Sequence, residues 1–234
     1  MKAQTARRRL KDLGSKERAE IARRFFKTGP GEYGEGDVFL GVRVPELRRL
    51  AKEFQALGPE EISDLIRSPV HEERALALLI LVLRYRRGDP KEQERIYEFY
   101  MDHLRFINNW DLVDVSAEHV VGAFLKDKSR KPLYRLARSK SLWERRVSIL
   151  ATFHYIKGYE FSETLKIATM LLSDKEDLIH KAVGWMLREV GKRDPAAEER
   201  FLEEHYRKMP RTMLRYAIER FPEPKRQRYL KGRV

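Results

Sequence analysis

The feature that most constrains this chain is the regularity with which its apolar helical stretches are interrupted. From residue 60 onward, breaks fall at Ser68-Pro69, Gly88-Asp89-Pro90, Asp127 to Lys131, Ser139 to Ser141, Gly158 and Asp194-Pro195. Clusters of this kind end one helix and open the next. No stretch sustains the alternation of a strand, so the pattern predicts an all-α protein. The segments that open after breaks align as Glu73-Arg74-Ala75-Leu76, Trp110-Asp111-Leu112-Val113, Arg145-Arg146-Val147-Ser148 and His180-Lys181-Ala182-Val183. Arg74, Asp111, Arg146 and Lys181 then recur every 35 to 37 residues or roughly so, the period of helical-pair solenoids. TPR lettering is absent. The expectation is a single HEAT-like helical repeat solenoid over residues 1–234.

Ahead of the repeats, Thr5 to Phe26 reads as basic helix with a break at Gly14-Ser15, where Ser15 caps the second piece. The loop Thr28 to Asp37 formally contains G-x-G-x-x-G at Gly29, Gly31 and Gly34. No strand precedes it and its glutamates repel phosphate, so a lip beside a groove is expected there and not a nucleotide site. Pro45 opens a helix running to about Leu57, and Gly58-Pro59 opens the next.

Charge narrows the partner. The formal net charge of +13 and pI of about 9.9 point to a polyanion, nucleic acid ahead of an anionic membrane surface. With no cysteine, disulfides and thiolate chemistry are excluded. The longest apolar run, Ala75 to Leu83, is too short to span a bilayer, and no signal-like segment follows Met1-Lys2-Ala3. A soluble, cytoplasmic protein is expected. The histidines lack metal-site spacing, and His71-Glu72-Glu73 has no second histidine at the offset a zinc protease needs. Neither metal nor cofactor is expected.

Candidate chemistry concentrates in Asn108-Asn109-Trp110-Asp111-Leu112-Val113-Asp114. Asn108 or Asn109 can cap a helix, and Asp111 in its first turn complements the dipole. Asp114 lacks such an explanation. It lies four residues after Trp110, so carboxylate and indole share a helical face, amid Val113, Val115, Val120 and Val121. In the repeat register Arg146 and Trp185 fall on about the same face of later repeats, so Trp110, Asp114, Arg146 and Trp185 can converge. Arg188 extends the basic track. A carboxylate walled by aromatic rings suits a developing positive centre, such as the oxocarbenium-like state of glycosidic cleavage. Only one strong acid candidate is present, not the separated pair of an ordinary sugar hydrolase, and one suffices where the leaving group is already cationic. The plainer alternative is an Asp114–Arg146 ion pair between helices, with both tryptophans in the core.

The segments Phe39-Leu40-Gly41-Val42-Arg43-Val44-Pro45-Glu46-Leu47-Arg48, Trp110 to Asp114, Trp143-Glu144-Arg145-Arg146 and Lys181 to Glu189 together resemble the AlkD family of DNA alkylation repair glycosylases, over roughly residues 16–220. The resemblance implies a solenoid with a concave basic groove that wraps double-stranded DNA. It also implies hydrolytic removal of cationic alkylated purines, such as 3-methyladenine and 7-methylguanine, by a monomer without cofactor. Carried over, Asp114 is the catalytic carboxylate, Trp110 and Trp185 wall the lesion deoxyribose, and Arg146 holds the neighbouring phosphate. Arg43, Arg145, Lys181 and Arg188 become DNA contacts. Arg43 stands where the family can carry an amide residue, and some relatives retain only binding of branched or distorted DNA, which is the competing reading. A protein scaffold is a third. The basic residues of 222–234 read as a solvated tail.

Overall fold

The computed structural model describes residues 2–234, which are helical with no strand; one isolated bridge joins Val38 to Val70. The chain divides into two compact units, residues 1–120 and 121–234. The first holds α1 (Ala3–Leu13), α2 (Lys16–Phe25), α3 (Val44–Glu53), α4 (Pro59–Ile66), α5 (His71–Arg87), α6 (Pro90–Asp102) and α7 (Trp110–Asp114). The second holds α8 (Lys131–Ala137), α9 (Leu142–Ala151), α10 (Phe153–Lys157), α11 (Ser162–Met170), α12 (Asp177–Gly191), α13 (Pro195–His205), α14 (Arg211–Ala217) and α15 (Glu223–Leu230).

Most predicted breaks fall at element ends, for the reasons the residues suggest. Ser15 caps α2 by accepting from Arg18 N–H, Gly58-Pro59 starts α4, and Asp89 and Asp194 cap helices that open on proline. The helix from Pro45 is shorter than expected. It ends at Glu53, where Phe54 turns into the core with Leu57.

Each unit is built around one long helix. In α5 the run Ala75-Leu76-Ala77-Leu78-Leu79-Ile80-Leu81-Val82 is apolar all round, and α3, α4 and α6 pack on it. In α12 the buried positions Ile179, Ala182, Val183, Met186, Leu187 and Val190 face α9, α13 and α14. Gly184 permits the close approach of α14, since a Cβ there would lie 2.5 Å from Met213 O.

Polar groups are buried at the start of α5, where His71, Glu72, Glu73 and Arg74 follow one another. Each has a partner from elsewhere in the unit. Glu72 accepts from the backbone N–H groups of Leu40, Gly41 and Val42 at 3.0, 2.7 and 3.3 Å. Glu73 accepts from Arg7 of α1 at 2.8 Å. Arg74 donates to Ser68 O at 2.7 Å and to Asp37 at 2.5 Å. Buried charges persist only when satisfied in this way.

The tail expectation for residues 222–234 is corrected. α15 is a folded helix whose Tyr229 is buried against Tyr206 and Phe221, with ring centroids at 5.4 and 5.8 Å. That aromatic anchor outweighs the basic composition.

Candidate active site

Asn109 is the N-cap of α7: its side-chain oxygen accepts from Trp110 N–H at 2.8 Å. Its amide nitrogen donates to Asp37 at 3.3 Å, so one buried side chain both starts the helix and ties it to the glycine-rich loop. α7 is a single turn ending at Asp114, shorter than the continuous helical run expected there. The Ser116 hydroxyl donates back to Leu112 O at 2.6 Å, and a π-helical turn, Glu118–Gly122, follows.

Trp110 and Asp114 are both half-buried. The indole stacks on Phe26 at 5.3 Å and meets the edge of Phe25 at 5.7 Å. Phe26 stacks in turn on Phe39 at 5.0 Å, and Phe39 on the His71 ring at 4.6 Å. Asp114 lines a cleft of about 490 Å³ together with Arg48 and Lys52 of α3, Arg86 of α5, and His119. Leu79, Val82, Leu83 and Val115 form its apolar floor. Arg86 donates to the His119 ring, with its Nη2 3.1 Å from Nε2. A carboxylate thus sits in an open cleft whose other charged walls are cations, so the cleft suits a polyanion that presents a reacting centre to Asp114.

Behind α7 lies a second ionic group. His71 is 2.8 Å from Asp111 through Nε2 and 3.1 Å from Asp37 through Nδ1. Burial alone would lower its pKa, but hydrogen bonds to Asp111 and Asp37 outweigh this and push it up to about 9. Burial works against ionisation of Asp37 too. The His71 hydrogen bond and the Arg74 charge prevail and hold its carboxyl below the usual range. Asp111, expected only to complement the dipole, is therefore also the partner of a buried histidine.

The glycine-rich loop spends its carboxylates on itself: Glu32 accepts from Gly29 N–H at 2.8 Å and Glu35 from Gly31 N–H at 2.9 Å. These are the donors a phosphate would need.

In the second unit Arg146 is 5% exposed and donates to Leu178 O at 2.6 Å, paralleling Arg74 on Ser68 O in the first. These two guanidiniums turn inward, where the shared repeat phase was expected to place them on a lining surface. Trp185 is half-buried with its ring 5.9 Å from that of Phe153. Arg145 is held by Asp174 at 2.6 Å and by the carbonyls of Ser139 and Lys140 at 3.0 and 2.9 Å. Lys181 pairs with Asp177 at 2.8 Å, and Arg188 with Glu219. In the first unit Arg43 is exposed at the start of α3, with its N–H on Glu46 at 3.2 Å. Trp110 and Asp114 thus share the first unit, and Arg146 and Trp185 the second.

Sequence reading missed Arg48, Lys52, Arg86, His119 and the His71 group. Arg48 and Lys52 are four apart and share a helical face, which the sequence displays. The meeting of Arg86 with His119 is tertiary and leaves no local signal.

A sequence profile of the DNA alkylation repair enzyme family matches residues 6–221. The chain belongs to that family. Among solved structures, this DNA alkylation repair family member is similar to a predicted DNA alkylation repair enzyme from Enterococcus faecalis. The two are 18% identical, with a TM-score of 0.68 over 90% of this chain and 98% of that one. It is also similar to AlkD2 from Streptococcus mutans, at 20% identity and a TM-score of 0.53 over 94% of this chain and 98% of that one. At these identities the likeness is one of fold, an all-α helical repeat. No curated protein matches the chain. No helix among the described residues is long and apolar enough to cross a membrane.

Proposed function

We propose that this family member is a monofunctional DNA glycosylase that hydrolyses the N-glycosidic bond of cationic alkylated purines, 3-methyladenine and 7-methylguanine, in duplex DNA. The observation that carries the reading is Asp114, half-buried in a cleft whose remaining charged walls are Arg48, Lys52 and Arg86. Those cations suit the phosphates flanking a lesion, with the carboxylate placed beside the sugar. Asp114 stabilises the positive charge that grows at C1′ as the C1′–N bond breaks, and it orients a water. The bonding pair neutralises the purine, so no general acid is needed. Water oxygen bonds to C1′ and its proton passes to Asp114 or solvent. No metal or cofactor enters these steps.

In this reading the protein acts on the duplex as a monomer. Trp110 walls the deoxyribose beside Asp114, Trp185 contacts the lesion strand, and Arg146, whose guanidinium is buried on Leu178 O, would have to turn outward to reach the neighbouring phosphate. Arg43, Lys181 and Arg188 touch the backbone, and Arg145, already bound to Asp174, contributes least. Release of 7-methylguanine from a duplex carrying that single lesion tests the reading. Asp114→Asn is expected to lower excision by about 10²-fold or more while DNA affinity, dominated by phosphate contacts, stays close to wild type. If wild type binds the duplex but excises no faster than background, the glycosylase reading fails and binding of distorted DNA takes its place.

A further inference from the structure

α7 is one turn long, and a single helical turn has little stability of its own. Yet it carries Trp110 and Asp114, whose placement to within a fraction of an ångström would decide any reaction at the cleft. Something outside the helix must hold it. Its amino end is gripped through Asn109, which donates to Asp37. Its first turn is gripped through Asp111, whose Oδ2 meets His71 while its Oδ1 is buried without a hydrogen-bond partner among the described residues. The Trp110 ring is gripped from the side by the stack Phe26, Phe39 and His71. His71 belongs to both arrangements: its edge bridges Asp37 and Asp111, and its face closes the aromatic stack.

We propose that His71 is a positioning residue, which fixes Trp110 and Asp114 for base excision by bridging Asp37 and Asp111 and by backing the aromatic stack behind Trp110. This rests on the glycosylase reading above. His71 lies beneath α7, away from the cleft lining, and acts only through the residues it holds.

The bridge needs both ring nitrogens as donors, because each faces a carboxylate oxygen. A neutral imidazole has one donor and turns its other lone pair on an anion. The charged groups facing His71 are Asp37 from the loop, Asp111 from α7 and Arg74 from α5. Glu72, its neighbour in sequence, is turned to the Leu40–Val42 backbone. Two carboxylates against one guanidinium favour the imidazolium. Loss of the proton through about pH 9 removes one of the two bridges and loosens α7.

The test uses the full-length protein under single-turnover conditions with saturating enzyme, at reaction times short beside alkaline ring opening of the lesion. His71→Gln is expected to lower the 7-methylguanine release rate about tenfold or more with DNA affinity within twofold of wild type. Asp37→Asn is expected to lower it less. The wild-type rate falls as pH rises through about 9, and His71→Gln lacks that limb. A readout independent of activity is Trp110 emission in a Trp143→Phe, Trp185→Phe background, which should shift over the same pH interval only when His71 is present.

An active wild type whose rate, pH profile and Trp110 emission are unchanged by both substitutions overturns the positioning role and leaves the glycosylase reading standing. A wild type that excises nothing overturns the glycosylase reading, and the emission titration still decides whether His71 holds Trp110. Should His71→Gln not fold, Asp37→Asn and the wild-type pH profile decide between the two outcomes.

Discussion

Arg48 and Arg145 are both basic residues on short helices of a strongly basic chain, yet their guanidiniums are differently committed. Arg48 is exposed and lines the cleft that contains Asp114. Arg145 is bound to Asp174 and two loop carbonyls. Composition treats them alike; partners separate them. Arg48→Ala should therefore weaken duplex binding and reduce the slope of log affinity against log salt by about 0.9, one phosphate contact. Arg145→Ala should leave that slope unchanged and lower thermal stability, by about 1–3 kcal/mol, because Asp174 loses its charge partner and the loop carbonyls lose their donors. Salt titrations and melting curves of the two variants check both statements. If Arg145→Ala also reduces the salt slope by a full contact, its assignment as an internal residue is wrong.

At the scale of elements, helix positions were legible because Pro, Gly, Ser and Asp punctuate the apolar runs in conventional places. Asp89-Pro90 and Asp194-Pro195 each supply a cap and a first-turn proline. What stayed hidden was set by contacts far apart in sequence. The end of α7 depends on Ser116 and its bond to Leu112 O, where valine periodicity suggests more helix. Arg74 and Arg146 share the assigned repeat phase, but the carbonyls that hold them inward, Ser68 O before α5 and Leu178 O in the first turn of α12, are revealed by no periodicity. Trp110 and Asp114 were legible as a pair on one turn; the cations around Asp114 come from α3 and α5 and were not. The segment Phe39–Val44 is a case in which a single residue decides an element. Gly41 has φ +78°, and a Cβ on it would lie 2.4 Å from Ser15 O and 2.6 Å from Ala19 N. Gly41→Ala is expected to destabilise the protein by about 2 kcal/mol or more, combining left-handed strain with backbone overlap. A melting temperature equal to wild type would show that α2 can move aside without cost.

For the molecule as a whole, two buried groups make stability fall on the alkaline side. His71 has its folded pKa raised to about 9 above an ordinary value of 6.5. Its contribution is fully present below about pH 6.5 and is lost as pH rises through 9, and it amounts to something on the order of 3 kcal/mol. Glu198 is pushed up to about 8, chiefly by burial and then by the neighbouring charge of Glu199. Its Oε1 has no hydrogen-bond partner among the described residues, and its Oε2 lies 1.6 Å from where a Cβ on Gly191 would stand. Here the unfolded chain ionises first, so stability declines from about pH 4.5 and levels off above 8. Both effects have the same sign. The melting temperature should therefore be highest at mildly acidic pH and fall steadily towards pH 9.5. Glu198→Met should raise it at pH 8 and flatten the lower part of the slope, and differential scanning calorimetry across pH 5–9.5 decides the matter.

The four consecutive polar residues that open α5 also bear on how such a protein can change over evolutionary time. Helical-repeat arrays commonly lengthen or shorten by whole repeats, because each repeat touches only its neighbours. The first unit does not have that freedom. Arg7 answers Glu73 across 66 positions, Asp37 answers Arg74 across 37 and His71 across 34, and Asp111 answers His71 across 40. Any deletion that removes one of these segments strands a buried charge at the start of α5. The amino-terminal half is thus an indivisible block, and its modules cannot be traded one at a time.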